Sequence, residues 1–417
     1  MGLLWLYVFP MLFLPNLGVS RATAFGTLEI SDFLIFPYLF LLCRNLPKQK
    51  GLLVYRLIPL LIAFAAWTSI GTLSIPIRYP GESSHYVYLG LLKFARLGLY
   101  VTAGILTIRK LSKAGMFPRF LWALTGAGVV IAVALILTPG EEESFGAVGA
   151  MQGFKTHNAV SVNLSIVACY LAASLVMRLG TPVWRRCALI ALGCMALGSC
   201  FSSGRSGWLA AAAAMIYLVW RRGFTRKVLA TLALGLLVLV PTYFLSKTFR
   251  DQVQKTLSPQ SRYLRAYGVG VMGLDDAGRL KNWSAAAKRF PQAPLWGAGF
   301  FHRGGHSALR FTGSHNFFLQ MFLETGMVGG LLVLLIFFVM WRQASTPVSR
   351  VEQYEIPLKC ALLAAFVGGF GGEYFYGGPP VLALIAVYGS VGALACRRWL
   401  PAPSTLNPWA GAQVQHA

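Results

Sequence analysis

Apolar runs alternate with short basic connections along almost the whole chain. Runs long enough to span a bilayer occur near 2–18, 24–43, 52–74, 87–108, 120–138, 158–177, 187–203, 206–220, 228–246, 315–341, 358–376 and 380–396. About 20 apolar residues in a helix rise through the roughly 30 Å hydrocarbon layer. The pattern therefore predicts an all-α polytopic integral membrane protein with about twelve transmembrane helices. The first run precedes Ala22-Thr23-Ala24, which mimics a signal-peptide cleavage site. It lacks a basic leader and contains Pro10 and Pro15, so it is read as a span. One long polar interruption, 247–314, separates spans nine and ten and predicts a large, partly helical external loop. The expected organisation is an N-terminal bundle over 1–246, a basic loop domain over 247–314, and C-terminal spans with a tail over 315–417.

Composition supports the membrane reading. With 56% hydrophobic and 12% charged residues, a soluble fold could not cover its apolar surface. The formal charge of +24 would suggest nucleic acid on a soluble protein, but here most cations sit between apolar runs. Alternate connections hold Arg44/Lys48/Lys50, Arg109/Lys110/Lys113/Arg119, Arg178/Arg185/Arg186, Arg221/Arg222/Arg226/Lys227, Arg342/Arg350 and Arg397/Arg398. The intervening short loops carry only Arg21, Arg78, Lys155 and Arg205. The positive-inside bias makes the rich set and both termini cytoplasmic, excludes nucleic acid as the reason for the charge, and puts 247–314 outside. Long loops escape that bias, so the loop's own excess of cations points to an anionic partner or to anionic lipid headgroups. Within it, Leu280, Trp283, Ala287 and Phe290 recur at helical spacing, with Lys281, Asn282, Lys288 and Arg289 turned away. This predicts an amphipathic helix along the membrane surface.

Metal chemistry finds little support. The seven cysteines lie in or at the ends of apolar runs with no ligand spacing and read as small core residues. His302 and His306 are separated by Gly304-Gly305, which argues against a shared helical face, and no carboxylate is near them.

Three constellations can carry chemistry. The first is Ser203-Gly204-Arg205-Ser206-Gly207 between two short spans. Gly204 and Gly207 would permit a tight turn, Ser206 would cap the next helix, and a span over only 206–220 would leave the turn recessed. Free N–H groups beside Arg205 suit a phosphate, and a tight turn with a snorkelling arginine explains the same residues. The second is Lys93 and Arg96, one turn apart inside span 87–108. They serve a cavity or phosphate, or else pair with Glu29, Asp32 or Glu373. The third is Ser314-His315-Asn316 at the start of span 315–341, with Glu324 nine positions on from His315 and out of phase with it. His315 is either a general base or a hydrogen-bonded structural group. Gly326 and Gly330 form a small-xxx-small face for close helix packing.

The run Gly278-Arg279-Leu280…Trp283…Pro294-Leu295-Trp296-Gly297-Ala298-Gly299-Phe300…His315-Asn316…Leu319-Gln320…Glu324-x-Gly326 resembles the shared core of the O-antigen ligase and O-antigen polymerase superfamily. Ser203 to Gly207 resembles the superfamily's earlier Ser/Arg turn. The resemblance implies a metal-independent, cofactor-free glycosyltransferase of the bacterial inner membrane, active on the periplasmic side. Its donor would be a glycan on undecaprenyl diphosphate, and its acceptor a lipid A core sugar (ligase), the next repeat unit (polymerase) or an exported protein. It further implies that Arg205 and Arg279 bind the diphosphate and that His315 is the base. Arg265, Lys93, Arg96, Asn316 and Trp283 would contact substrate, and Glu324 and Gly326 would support the site. A transporter or flippase for a lipid-linked glycan is the reading from another class, suited by the number of spans and the intramembrane cations.

Overall fold

The computed structural model describes residues 30–43, 57–78, 84–111, 116–137, 157–201, 204–257, 279–300, 316–344 and 352–371. All regular structure among them is helical. In chain order the helices are α1 (Ile30–Cys43), α2 (Ile58–Leu73), α3 (Ile75–Arg78), α4 (Ser84–Leu111), α5 (Met116–Leu137), α6 (His157–Val176) and α7 (Pro182–Phe201). They continue with α8 (Arg205–Arg222), α9 (Arg226–Leu245), α10 (Lys247–Leu257), α11 (Arg279–Arg289), α12 (Phe317–Ala344) and α13 (Glu352–Gly369). The apolar runs from 24–43 to 358–376 each coincide with a helix, whereas 2–18 and 380–396 lie outside the described residues.

Length and composition single out four stretches as able to cross a membrane: Gly90–Thr107, Pro182–Phe201, Arg226–Leu245 and Phe317–Ala344. Shorter apolar helices run over Ile58–Leu73, Phe120–Val133 and Ser161–Val176. Most of these helices show no strong apolar face, since a helix between neighbours and lipid has no aqueous side. The exceptions are α10 and α11, the α-helices of the basic loop among the described residues, which are amphipathic.

The centre of the bundle is α13 packed between α6 and α8. Small residues make the approach possible: Ala361, Ala364 and Ala365 on α13, Ala172 and Ala173 on α6, and Ala210 and Ala214 on α8 are all buried. The Cys360 thiol reaches the Ala214 carbonyl at 3.7 Å. α13 begins several residues before the apolar run that predicts it, because Glu355 and Lys359 neutralise one another at 2.7 Å and Lys359 lies 5.1 Å from the Trp341 ring. Six cysteines fall among the described residues and all are free, three of them buried.

The two ends of the bundle differ. Arg178, Arg185 and Arg222 all lie close enough to act electrostatically on Lys227, so the connections α6–α7 and α8–α9 share one basic end. At the opposite end α8 starts against α6, with Ser161 Oγ donating to the Gly204 carbonyl at 2.7 Å and Ser165 Oγ to that of Gly207 at 2.8 Å. α10 folds back over this end, Phe249 meeting Trp208 edge-on at 5.3 Å.

The sequence predicts one continuous helix over 315–341, and the structure corrects this. Gly326 has φ 71° and ψ −172°, conformations outside any helix, and splits α12 into arms 317–325 and 327–344. The rings of Phe318 and Phe337 lie 5.7 Å apart, although a straight helix would separate positions 19 apart by about 28 Å. A side-chain carbon on Gly330 would stand 2.3 Å from the Phe322 ring. The arms therefore run back along one another as a hairpin with Gly326 at its tip. The full apolar length of Phe317–Ala344 is thus not one span, and only the second arm is long and continuous, about 27 Å.

Glycine at helix contacts sets how closely α5 and α7 approach. A methyl on Gly198 would lie 2.6 Å from Ala132 Cα, whereas one on Gly193, in the same helix, meets nothing within 4 Å. Gly198→Ala is expected to cost about 1–3 kcal/mol through overpacking. Gly193→Ala should be neutral or stabilising by up to about 1 kcal/mol from helix propensity. Thermal unfolding in detergent checks the contrast, and equal midpoints for both variants would contradict the packing.

Candidate active site

The sharp turn at Gly326 strands backbone groups on both arms. The first arm ends with carbonyls that have no helical partner, and the second begins with unmatched N–H groups. The segment 294–300, which follows α11 and a single 3₁₀ turn over Phe290–Gln292, supplies both kinds of partner. Ala298 N–H donates to Leu323 O at 2.8 Å and Gly299 N–H to Glu324 O at 2.9 Å, while Met327 N–H donates to Pro294 O at 2.7 Å. The strap, as we term residues 294–300, thereby caps the hairpin tip. Gly297 (φ 69°) and Gly299 (φ 111°) take backbone angles that side chains resist, and a methyl on Gly297 would lie 2.4 Å from the Glu324 carbonyl.

Helices α2, α3 and α4 hold the strap from its other side. Trp67 stacks on Trp296 with centroids 4.0 Å apart and planes within 7°, and donates its indole N–H to Thr325 O at 2.9 Å. Phe300 N–H donates to Thr72 Oγ1 at 3.1 Å, and the Phe300 ring meets Phe94 of α4 edge-on at 5.3 Å. Arg78 donates to the Gly297 carbonyl, to the Gly71 carbonyl and, at 3.0 Å, to Ser74 Oγ.

The first arm carries a buried polar stripe at helical spacing: Asn316, Gln320 and Glu324, each at most 6% exposed. Asn316 Oδ1 caps the arm by accepting from Leu319 N–H at 3.1 Å, and Gln320 Nε2 donates to Glu324 Oε1 at 2.6 Å. The lower end of this arm rests on the end of α13, where Phe318 packs against Phe366 and Phe370 with centroids 4.8 and 5.0 Å away. The same end of α13 touches the start of α8, since a methyl on Gly371 would lie 2.2 Å from Ser206 Cβ. Two helix starts, at Arg205 and at Asn316–Phe317, therefore flank one short stretch of α13.

The residues singled out from sequence fall as follows. Arg205 opens α8 and Arg279 opens α11, and their side chains lie outside the described atoms. Arg265 and His315 lie outside the described residues, although His315 directly precedes the capping Asn316. Lys93 and Arg96 are half-buried on α4 beside Phe94, and the Arg96 guanidinium lies 5.8 Å from the Tyr100 ring of the next turn. Of their suggested partners, Glu29 and Glu373 lie outside the described residues, and Asp32 lies on α1 with its side chain outside the described atoms. Trp283 is half-buried on α11, which packs against the hairpin through Phe290 and Phe322. Glu324 is buried in the stripe, and Gly326 forms the tip.

Several expectations need correction. Ser206 does not cap α8: the cap position is Gly204, with no side-chain bond, and the Ser206 hydroxyl is buried without a partner among the described residues. Gly204 has an ordinary negative φ. Gly207 serves contact and not the turn, since a methyl there would lie 2.0 Å from Ser161 Oγ. α8 has 18 residues, about 27 Å, longer than the run 206–220 but still short of the roughly 30 Å hydrocarbon layer. Ala286, not Ala287, is the buried alanine of α11. Gly326 breaks the helix instead of lining a small-residue face. Sequence reasoning passed over Trp67, Thr72 and Arg78, and the one available signal was an arginine stranded in a cation-poor loop.

An all-helical chain of apolar spans, with a broken helix capped inside the bundle, is the architecture of a polytopic membrane protein. Residues 190–334 match the family model described as O-antigen ligase, and this match supports membership of the O-antigen ligase and polymerase superfamily, whose members are glycosyltransferase-type enzymes. The match runs from within α7 to the second arm of the hairpin and includes the strap, but not Trp67, Thr72 or Arg78. No curated protein matches the chain.

Gly326→Ala should free the strap. It forces a side chain into a glycine-only conformation, at a cost of about 1–3 kcal/mol, and drives the new methyl to within 2.0 Å of Leu295 O. Limited proteolysis should then cut within 290–300 faster than in the wild type, with Gly235→Ala, a change into open space, as the control. An unaltered cleavage pattern would count against the capped tip.

Proposed function

We propose that the protein transfers a glycan from undecaprenyl diphosphate to an acceptor hydroxyl at the periplasmic face of the bacterial inner membrane, as an O-antigen ligase with a lipid A core acceptor. The observation that carries this reading is the pair of helix starts flanking the end of α13. Helix N-termini attract anions through unmatched N–H groups and the aligned peptide dipoles. One start bears Arg205, and the other begins directly after His315. In this reading 1–246 is the N-terminal bundle, 247–314 the basic loop domain that carries Arg265 and Arg279, and 315–417 the closing spans, with both termini cytoplasmic.

The chemistry needs few parts. The acceptor oxygen attacks the anomeric carbon as the bond from that carbon to the diphosphate oxygen breaks. Undecaprenyl diphosphate leaves with the bonding electron pair, and the acceptor proton passes to His315. Arg205 and Arg279, assisted by Arg265, Lys93 and Arg96, neutralise the leaving charge without titrating, which makes a metal ion dispensable. Asn316 acts by fixing the backbone at 315–316, because its oxygen is engaged in the cap. Trp283, on the helix that Arg279 opens, offers a ring to the glycan.

Reconstitution with a lipid-linked oligosaccharide tests the reading. His315→Ala is expected to lower kcat by about 10²–10⁴ while donor binding persists. Arg205→Lys and Arg279→Lys should each weaken donor use about tenfold to a hundredfold, the effect of losing one charge-assisted hydrogen bond of about 1.5–3 kcal/mol. Full activity of His315→Ala, or transport of the lipid without transfer, would sink the proposal.

The product distinguishes members of the superfamily. One added block on a lipid A core acceptor is expected, in the presence of chelator as well as without it. A ladder of repeats would identify a polymerase, and a glycosylated exported protein would identify a protein-directed transferase.

A further inference from the structure

We propose that Arg78 is a positioning residue for the transfer reaction, clasping the strap to α2 and α3 and so setting the depth of the arm that begins after His315. The inference rests on the transferase reading for its catalytic consequence, and on geometry alone for the clasp.

Three features of the geometry lead there. First, all three guanidinium nitrogens of Arg78 donate to protein oxygens: Nη1 to Gly297 O, Nη2 to Gly71 O, and Nε to Ser74 Oγ. One acceptor lies in the last turn of α2, one at the junction of α2 and α3 and one in the strap, so the side chain joins segments more than 200 positions apart in sequence. An arginine so engaged is a fixed fork and is not presented to a ligand. Second, Gly297 is the strap residue seated against the hairpin tip, flanked by the bonds from Ala298 and Gly299 to the end of the first arm. Displacing Gly297 displaces both bonds. Third, the first arm is a short rigid helix, closed at the tip by the strap and at its lower end by the Asn316 cap. A shift at the tip is therefore carried to Asn316, about 13 Å away along the arm and next in sequence to His315. A misplacement of about 1 Å at a reacting group can cost a hundredfold in rate.

The Trp67–Trp296 stack gives the clasp an optical signature. Two indoles in near-parallel contact couple their transitions, and the component of the circular dichroism removed by Trp296→Phe reports on the stack. The experiment compares wild type, Arg78→Lys, Arg78→Gln and Thr72→Val as full-length protein in nanodiscs, with dichroism and transfer kinetics recorded on each preparation. Arg78→Gln is expected to lose the Trp–Trp component and to drop kcat at least about tenfold with little change in donor KM. Arg78→Lys should recover part of both signals, and added guanidinium at low concentration should restore kcat to Arg78→Gln. Thr72→Val, which removes the bond from Phe300 N–H together with the local bond to Thr68 O within α2, should show a smaller change in the same two signals. Loss of kcat with an intact stack, loss of the stack with unchanged kcat, or an effect confined to donor KM would each overturn the proposal. Wild-type protein that transfers nothing would sink the transferase reading, and the clasp would still stand or fall on the dichroism.

Discussion

A helix that turns back on itself inside a bundle must find partners for the backbone groups it strands, and this protein finds them in the strap. Each buried N–H or C=O left without a partner costs about 1–3 kcal/mol, and more where no water can reach it. At the tip around Gly326, the carbonyls of Leu323, Glu324 and Thr325 and the N–H of Met327 are all taken up by the strap or by Trp67. The hairpin and the strap are consequently a single construction. Neither has a reason to hold its shape without the other, because the glycines that allow the close approach (Gly297, Gly299 and Gly326) all adopt backbone angles that other residues resist.

The break also determines where the first arm begins. A continuous helix would run straight on through position 326, whereas the folded-back first arm begins beside the end of α13. Irregular backbone in an apolar surrounding is tolerated only where protein encloses it or where it lines a cavity. The arm is well suited to this, with phenylalanines facing α13 and a hydrogen-bonded polar stripe of Asn316, Gln320 and Glu324 within the fold. A helix start buried within protein, as Asn316 and Phe317 are, presents a partial positive charge where dielectric screening is weak.

The basic end of the bundle and the strap end do different work with the same residue type. Around Lys227, arginines gather at one end of the bundle and act on it through their summed charge. Arg78, by contrast, directs its donors at particular carbonyls and acts through geometry. Composition counts both kinds alike, which is why the overall charge says little about any one cation.

Hydrophobic periodicity by itself determined the helical class, the positions of most helices and the segregation of cations between alternate connections, since these follow from local sequence meeting a bilayer. The motif residues from Gly278 to Gly326 and the Ser/Arg turn likewise pointed to the superfamily, because they are legible one segment at a time. What tertiary structure alone decided was the fold-back at Gly326, the pairing of the strap with the hairpin tip, and the part taken by Trp67, Thr72 and Arg78. An apolar run of 28 residues looks continuous in sequence, and a glycine within it suggests close packing as readily as a break. The choice depends on whether another segment can satisfy the backbone groups that a break exposes. That segment ends sixteen residues before the helix begins, and the arginine holding it lies more than 200 positions away.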